Sequence, residues 1–204
     1  MIYVILGGPA SGKGTRAKIL CEQLGVPHIS TGEILRKVAE EDNVMQKKLA
    51  NGTLISDDVI TALLYARLCK KDCLNGCVID GYPRTLNQAF LLDNLLKNLG
   101  TKLTGVIELT VPDKVVFDRI LGRCQCSVCG KAYGNDIRPK VVNICDTCGG
   151  SLVRRSDDNE ETLKNRINVY KEKTKPILEF YKGDGIIITI DASSNPEKVL
   201  SVID

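Results

Sequence analysis

The chain of 204 residues contains no tryptophan, only three phenylalanines and a single histidine. So few aromatic side chains give little material for the stacking platforms of a single-stranded nucleic-acid binder. The excess of 28 basic over 25 acidic residues, a net charge of +3, is too small to indicate a nucleic-acid surface. No apolar run reaches the roughly 18 residues that a membrane helix needs. We therefore expect neither a nucleic-acid nor a membrane partner.

The start of the chain lacks the basic segment and cleavage site of a secretory signal, because Met1–Tyr3 leads straight into an apolar run. We therefore expect a cytoplasmic protein. Its nine cysteines are an odd number, and without a secretory signal a disulfide framework is not expected. Repeats and low-complexity linkers are also lacking, which favours one α/β domain carrying an insertion.

Four of the cysteines form two CxxC pairs, Cys126/Cys129 and Cys145/Cys148, with fifteen residues between the pairs. This spacing is typical of a four-cysteine Zn²⁺ site, in which each pair occupies one side of a tetrahedron. Disulfides or unliganded thiols are the alternatives, and the nearby Cys124 is a possible competing ligand. Because no ligand position is left open, the zinc is expected to be structural. We interpret the other cysteines as small buried hydrophobic residues: Cys21, Cys69, Cys73, Cys77 and Cys124.

Helical and strand patterns alternate along the chain, which predicts a doubly wound parallel sheet. Strands are predicted at residues 1–6, 28–30, 77–80, 106–109 and 186–190. Helices are predicted at residues 16–24, 31–42, 57–72, 86–99, 113–121, 158–181 and 196–203, the sixth of them with a Ser/Asp-rich start at Ser156-Asp157-Asp158.

A glycine-rich stretch, Gly7–Thr15, lies between the first strand and the first helix. Inward-facing N–H groups of such a loop and the N-terminus of the following helix together favour a phosphate. Lys13 would reach the β- and γ-phosphates, and Thr15 is the nearest hydroxyl, because Gly14 stands where the general motif has Ser or Thr. A glycine-rich turn without a ligand is the alternative.

Polar residues follow the third predicted strand, at the sheet edge where ligands collect in open α/β folds. Asp80 ends that strand and could hold a Mg²⁺-bound water, or it could be a turn former before Gly81. Arg84 follows in a tight turn and suits a bidentate phosphate contact. The amide of Gln88 offers a donor and an acceptor to a base edge, although a lone glutamine is more often solvated.

Arginines recur throughout the chain, and a phosphoryl-transfer site that brings two polyanions together needs several cations. Arg119 and Arg123 are four residues apart and are predicted to share one helix face. The full set is Arg36, Arg84, Arg119, Arg123, Arg155 and Arg166.

At these motifs the chain resembles the adenylate kinase family in its long-lid, zinc-bearing form, over essentially its whole length. The matching segments are residues 7–15, 28–36, 80–85, 118–123 and 155–158, together with Arg166. In this family Gly14 is the usual residue. The resemblance implies a five-stranded parallel sheet of the P-loop NTPase type. It further implies Mg²⁺-dependent, reversible transfer of the γ-phosphoryl group of ATP to AMP, giving two ADP, with lid closure excluding water.

The resemblance also implies a division into a core at 1–29, 60–121 and 159–204, an AMP-binding segment at 30–59 and a lid at 122–158 with the four-cysteine zinc site. The catalytic residues would be Lys13, Arg84, Arg123, Arg155 and Arg166. ATP would contact Gly8, Pro9, Ala10, Ser11, Gly12, Lys13, Gly14, Thr15, Arg119, Arg123 and Tyr133. AMP would contact Thr31, Gly32, Arg36, Thr53, Leu54, Ile55, Gly81, Arg84, Gln88, Arg155 and Arg166, with Gln88 at the adenine edge. Asp157 and Asp158 would pair with lid and core arginines.

Two alternatives stay open. The chain could be a kinase of another nucleoside monophosphate, with UMP, CMP or GMP as the acceptor. It could instead be a zinc-ribbon nucleic-acid binder that uses a nucleotide as a switch, although the charge and the aromatic content argue against this. Because no apolar helix face demands a partner, we expect a monomer.

Overall fold

The computed structural model describes residues 1–51, 55–134, 137–154, 158–193 and 195–202. Eight strands form a five-stranded and a three-stranded sheet. They are β1 (Ile2–Gly7), β2 (His28–Ser30), β3 (Cys77–Asp80), β4 (Gly105–Thr110), β5 (Cys124–Cys126), β6 (Ala132–Tyr133), β7 (Leu152–Val153) and β8 (Ile187–Asp191). The larger sheet is parallel throughout, in the order β2-β3-β1-β4-β8.

Strand β1 lies at the centre of the larger sheet and is buried along its whole length. Side chains of a strand alternate between the two faces, and here Val4 and Leu6 enter one apolar cluster while Tyr3 and Ile5 enter another. Burying each such side chain stabilises the fold by about 1.5–3 kcal/mol. A strand buried on both faces requires helices on both sides, so the predicted doubly wound sheet is confirmed.

Eight α-helices accompany these strands within the described residues. They are α1 (Lys13–Leu24), α2 (Thr31–Ala39), α3 (Asn43–Ala50), α4 (Asp57–Leu68), α5 (Leu86–Asn98), α6 (Asp113–Leu121), α7 (Glu160–Val169) and α8 (Pro176–Lys182). The predicted helices at 86–99 and 113–121 agree with α5 and α6 within a residue.

The helix predicted at residues 31–42 is present but ends three residues early, at Ala39, and a helix that was not predicted, α3, follows at Asn43–Ala50. The Asp42 Oδ1 atom accepts hydrogen bonds from the N–H groups of Val44 and Met45, at 2.8 and 3.0 Å. This cap satisfies backbone donors at the start of a new helix, so α2 ends at Ala39 and α3 begins after Asp42.

Three other predicted helices differ from the structure. The helix predicted at 158–181 starts at Glu160, because the Asn159 Oδ1 atom caps the Thr162 N–H at 2.9 Å, and it passes through a π-helical turn at Tyr170–Thr174 before α8. The proposed start at Ser156-Asp157 lies outside the described residues. The helix predicted at 57–72 ends at Leu68 and a 3₁₀ turn follows, and the final predicted helix is a 3₁₀ segment.

The smaller sheet lies in the insertion between α6 and α7, in the order β6-β5-β7, and is antiparallel. Each CxxC pair forms a tight knuckle, closed by Gly130 N–H to Cys126 O at 3.1 Å and by Gly149 N–H to Cys145 O at 2.9 Å. Both glycines have positive φ, at 69° and 72°, a backbone conformation that glycine adopts without steric cost.

The prediction that the remaining five cysteines are buried was only partly right. Cys21 and Cys77 are buried, but Cys73 and Cys124 are half-buried and Cys69 is exposed. Cys69 is the residue directly after the end of α4. It is exposed although the neighbouring sequence is apolar. Of the helices in the described residues, none has the length and apolar character to cross a membrane.

Candidate active site

The phosphate loop joins β1 to α1, as predicted, and Lys13 is the first residue of the helix. The Lys13 ammonium donates hydrogen bonds to the carbonyl oxygens of Gly7 and Gly8, at 2.8 and 2.7 Å, and lies 3.4 Å from the Ser11 hydroxyl. The carbonyls hold the lysine across the mouth of its own loop. A phosphate in the loop would offer the same ammonium a charged acceptor in place of a neutral one.

The charge on Lys13 is costly in this position. Burial, helped by the nearby Arg84, Arg166 and Arg123 and opposed by Asp80, lowers the pKa of Lys13 to about 7. A group of cations around a partly buried lysine is an arrangement that a polyanionic ligand would stabilise.

Asp80 lies at the carboxyl end of β3 and its residue is 9% exposed. Its Oδ2 atom is 3.5 Å from His28 Nε2, and a Cβ atom added to Gly14 would also come within 3.5 Å of it. Burial raises the pKa of Asp80, but His28, Lys13 and Arg84 together outweigh burial and lower the pKa. An ionised carboxylate facing the phosphate loop fits the oxygen ligand that Mg²⁺ or its bound water requires.

The turn after β3 brings Arg84 back toward the sheet edge. Gly81 has φ of 84°, and a side chain there would come within 2.8 Å of the Thr31 hydroxyl, so the turn requires glycine. Arg84 Nε donates to the Gly81 carbonyl at 2.9 Å, and Thr31 Oγ1 donates to the Asp80 carbonyl at 3.2 Å. From the other side, Thr174 Oγ1 donates to the Arg84 carbonyl at 2.9 Å, which anchors the turn to the π-helical segment.

Two arginines share one buried carboxylate. Arg123 Nε donates to Asp158 Oδ2 at 2.6 Å, its Nη2 contacts Asp158 Oδ1, and Arg166 Nη1 is 3.8 Å from Oδ1. The Asp158 side chain is 1% exposed. The predicted pairing of Asp158 with arginines is therefore confirmed, whereas Asp157 lies outside the described residues.

The predicted shared helix face of Arg119 and Arg123 was wrong, because α6 ends at Leu121 and Arg123 follows the C-cap Gly122. Arg119 remains on the helix and donates from Nη2 to the Ala192 carbonyl at 2.9 Å. Leaving the helix turns Arg123 toward Asp158, so the two guanidinium groups serve different parts of the cleft.

A cleft of about 540 Å³ unites most of these residues. Its walls come from the phosphate loop, from α2, from the turn after β3, from α6 and α7, and from the insertion. The predicted site residues that line it are Pro9, Ala10, Ser11, Gly12, Lys13, Gly14, Thr15, Gly32, Arg36, Asp80, Gly81, Arg84, Arg119, Arg123, Tyr133 and Arg166.

Several predicted site residues do not line this cleft. Gly8 contributes its carbonyl to Lys13, and Thr31, Ile55 and Gln88 are buried beside the cleft with 1%, 9% and 3% exposure. The amide of Gln88 is engaged at both ends, by the Arg84 N–H and by a carboxylate on α4. The remaining predicted residues, Thr53, Leu54 and Arg155, lie outside the described residues.

The four predicted zinc ligands come together. The Sγ atoms of Cys126, Cys129, Cys145 and Cys148 all lie within 4.8 Å of one another, and two of the cross-pair distances are 3.4 and 3.5 Å. Tetrahedral zinc with Zn–S bonds of about 2.3 Å separates its sulfurs by about 3.8 Å, so the geometry fits this metal. The half-buried Cys124 is not part of the four-sulfur cluster found among the described residues.

Tyr133 has a role that the sequence did not indicate. Its hydroxyl donates to Cys145 Sγ at 3.4 Å and accepts from the Asp146 N–H at 2.8 Å. The hydrogen bond from the Tyr133 hydroxyl, together with the backbone N–H groups of Thr147 and Cys148, lowers the pKa of Cys145 to about 6, which favours the thiolate that binds metal. Tyr133 therefore supports the sulfur cluster as well as lining the cleft.

Two polar residues of the site were missed. His28 was given no role in the site, yet the parallel pairing of β2 with β3 brings it to Asp80. Asp57 has no motif around it, and its importance depends on the packing of α4 against α5. In both cases the signal would have been strand or helix adjacency, which a single sequence does not give.

Comparison with known proteins agrees with this geometry. The family model described as adenylate kinase matches residues 5–186. An adenylate kinase of Caldicellulosiruptor saccharolyticus is 42% identical over 93% of this chain and 90% of its own length. Those of Fervidobacterium nodosum and Archaeoglobus fulgidus are 41% and 40% identical over the whole chain, covering 95% and 96% of the relatives. The phosphate loop, the arginine-lined cleft and these matches together show that the chain belongs to the adenylate kinase family.

Proposed function

We propose that this phosphotransferase moves the γ-phosphoryl group of ATP to AMP, reversibly and in line, giving two ADP. The observation that carries the proposal is the convergence of Lys13, Arg84, Arg119, Arg123 and Arg166 on one cleft. Phosphoryl transfer depends mainly on positioning and on stabilising charge spread over phosphate oxygens. One cleft with cations from five separate places in the chain suits a reaction between two polyanions.

The ATP side of the cleft is the phosphate loop, Gly8–Thr15, with Arg119 beside the base. Lys13 would leave the carbonyls of Gly7 and Gly8 for the β- and γ-phosphates, exchanging neutral acceptors for charged ones. Arg123 would meet the same phosphates from the insertion side.

The AMP side is formed by Arg36 and Gly32 on α2 and by Gly81 and Arg84 after β3, all of which line the cleft. Arg84 is held by its own turn and by Thr174, so its guanidinium is positioned before the nucleotide arrives. We assign residues 30–59 to the AMP-binding segment, including Thr53 and Leu54. Thr31 and Ile55 support this side from buried positions, and Gln88 would contact the adenine.

Asp80 is the residue that would hold Mg²⁺ through a bound water. The metal ion would neutralise charge on the β- and γ-phosphates. His28 and Lys13, on either side of Asp80, keep the carboxylate ionised and oriented toward the loop.

The insertion is proposed to act as a lid over residues 122–158, with structural Zn²⁺ at its four cysteines. Among the described residues of the insertion, the buried cluster consists of Cys126, Tyr133 and Cys145, which is little apolar material for a segment of this size. A metal would supply the missing stability and let the lid move as one body. Closure would exclude water, so that AMP rather than water accepts the phosphoryl group. Arg155, in the same segment, would contact the transferred phosphoryl group. The cytoplasmic location and the monomeric state of the protein stay predictions.

A product assay tests the reaction. Mg-ATP is incubated with each nucleoside monophosphate in turn, and the nucleotides are separated by chromatography. We expect two ADP for each AMP consumed and weak transfer to GMP, CMP and UMP. Efficient transfer to one of the other acceptors would keep the mechanism and overturn AMP as the substrate, and the absence of any transfer would overturn the proposed function.

Nucleotide binding should also change the protonation of Lys13. Because its pKa is about 7 in the free protein and bound phosphates would raise it, the lysine should take up close to one proton on binding at about pH 8. Calorimetry in two buffers of different ionisation enthalpy measures this uptake. Below about pH 6 Lys13 is already charged and the uptake should vanish. Equal proton uptake at both pH values would contradict the assignment.

A further inference from the structure

A carboxylate and an amide link α4 to α5 beside the cleft. Asp57, the first residue of α4, accepts a hydrogen bond at Oδ1 from Gln88 Nε2 at 2.7 Å. The other end of the same amide, Gln88 Oε1, accepts from the backbone N–H of Arg84 at 2.7 Å. Gln88 is therefore held at both ends, and it is 3% exposed.

These two contacts fix which way the Gln88 amide faces. A carboxylate only accepts and a backbone N–H only donates, so an amide turned by half a rotation would oppose Asp57 with oxygen and Arg84 with NH₂. Asp57 is itself held, because its Oδ2 atom accepts from Asn87 Nδ2 at 2.7 Å and from Thr85 Oγ1 at 3.3 Å. Both carboxylate oxygens of Asp57 therefore accept hydrogen bonds, and these contacts hold the carboxylate in place beside Gln88.

The backbone of Asp57 is anchored as well. Thr61 Oγ1 donates to the Asp57 carbonyl at 2.6 Å and lies 2.7 Å from the hydroxyl of Tyr82, which is fully buried. Tyr82 belongs to the turn that carries Arg84. The carboxylate and the arginine turn are thus fixed relative to each other by side chains in the core.

A fixed amide presents its remaining donor and acceptor in a fixed order. After its two contacts, Gln88 keeps one N–H and one oxygen lone pair. Adenine offers the ring acceptor N1 beside the N6 amino donor, whereas guanine offers the N1–H donor beside the O6 acceptor. When the phosphate of the nucleotide is anchored, one of these orders fits the amide and the other opposes it.

We propose that Asp57 is a specificity-determining positioning residue: by fixing the orientation of the Gln88 amide, it makes the acceptor site select a 6-aminopurine over a 6-oxopurine nucleotide. The inference rests on the proposed function, in which Gln88 contacts the acceptor base. Asp57 acts through Gln88 and makes no contact with the base itself.

The substitution Asp57→Asn tests this role. Asparagine can either donate to or accept from Gln88. In the variant, the rotated Gln88 amide would therefore meet one unfavourable contact, with the Arg84 N–H, instead of two. We expect the preference for AMP over GMP, measured as the ratio of kcat/KM values, to fall about tenfold. The KM for AMP should rise more than kcat falls, and the KM for ATP should stay unchanged.

Asp58→Asn is the matched control. Asp58 is the neighbouring first-turn carboxylate of α4 and is exposed, so its loss removes the same charge from the same helix end. Its preference for AMP should equal that of the unsubstituted protein. Equal loss of preference in the two variants would overturn the proposal, because helix-end charge alone would then explain it.

A double substitution tests whether Asp57 acts through Gln88. In a Gln88→Ala background, Asp57→Asn should cause no further loss of preference, and a full additional loss would overturn the proposal. If Asp57→Asn does not fold, Asp57→Ser replaces it, and the melting temperature and near-UV circular dichroism check the fold of each variant.

The activity of the unsubstituted protein separates the proposed function from the inference about Asp57. If it does not phosphorylate AMP, the proposed function fails and this inference with it, whereas an active protein with an unchanged Asp57 variant overturns the inference alone.

Discussion

Replacing Lys13 with methionine is expected to lower kcat about a hundred- to thousandfold, the usual effect of removing one preorganised contact to a developing charge. Methionine keeps the length and apolar stem of lysine but brings no charge to the β- and γ-phosphates. The fold should survive, because among the described residues the lysine ammonium hydrogen-bonds to two loop carbonyls and one hydroxyl. Initial rates at saturating ATP and AMP measure the effect, and the melting temperature checks the fold.

Lys97→Met is the control for this experiment. Lys97 is exposed in the last turn of α5 and does not line the cleft. The Lys97→Met substitution removes the same charge from the protein and should change kcat by less than about twofold, as expected for a surface substitution. If Lys13→Met kept most of the activity, the phosphate loop would not be the catalytic site.

The second large effect is expected from Cys145→Ser, which should lower the zinc content from one per chain to nearly none. The melting temperature should fall by about 10 °C, because several kcal/mol of metal-linked folding energy would be lost. Activity should fall because the lid would no longer close correctly, while ATP binding at the phosphate loop should persist. Metal analysis, thermal melts and nucleotide binding measure the three outcomes.

Cys124→Ser provides the matched comparison. Cys124 lies in the same strand as Cys126 but outside the four-sulfur cluster. The zinc content and melting temperature of the Cys124→Ser variant should therefore match those of the unsubstituted protein. Should Cys145→Ser melt at the parent temperature, the structural role of the metal would be excluded. Loss of zinc in Cys124→Ser instead would reassign one ligand.

The sheet and the phosphate loop were predictable because their signals are local. The β1 strand is a continuous apolar run, and glycine, lysine and helix follow it directly in the sequence. The two cysteine knuckles were equally clear, since the spacing within each pair is set by one tight turn. Such features need only neighbouring residues, and all of them agree with the structure.

Contacts that depend on packing were beyond the sequence. Nothing around Asp57 indicates that it meets Gln88, thirty-one positions later, until α4 lies against α5. The contact of the Tyr133 hydroxyl with Cys145 depends on the folding of the insertion, so only the proposed nucleotide contact of Tyr133 was expected from the sequence. Helix α3 was missed for a different reason, because its start depends on the capping carboxylate of Asp42 and not on an apolar pattern.

The pairing of Asp158 with Arg123 and Arg166 has a consequence for the resting enzyme. Asp158 is buried behind two of the arginines that line the cleft, and as a tethered counter-ion it is present at a high effective concentration. A free orthophosphate ion must displace it with one set of contacts and gains little. A nucleotide that is also held by the phosphate loop replaces it with many contacts at once. We therefore expect the resting cleft to bind small anions weakly and to open for ligands that engage both of its sides.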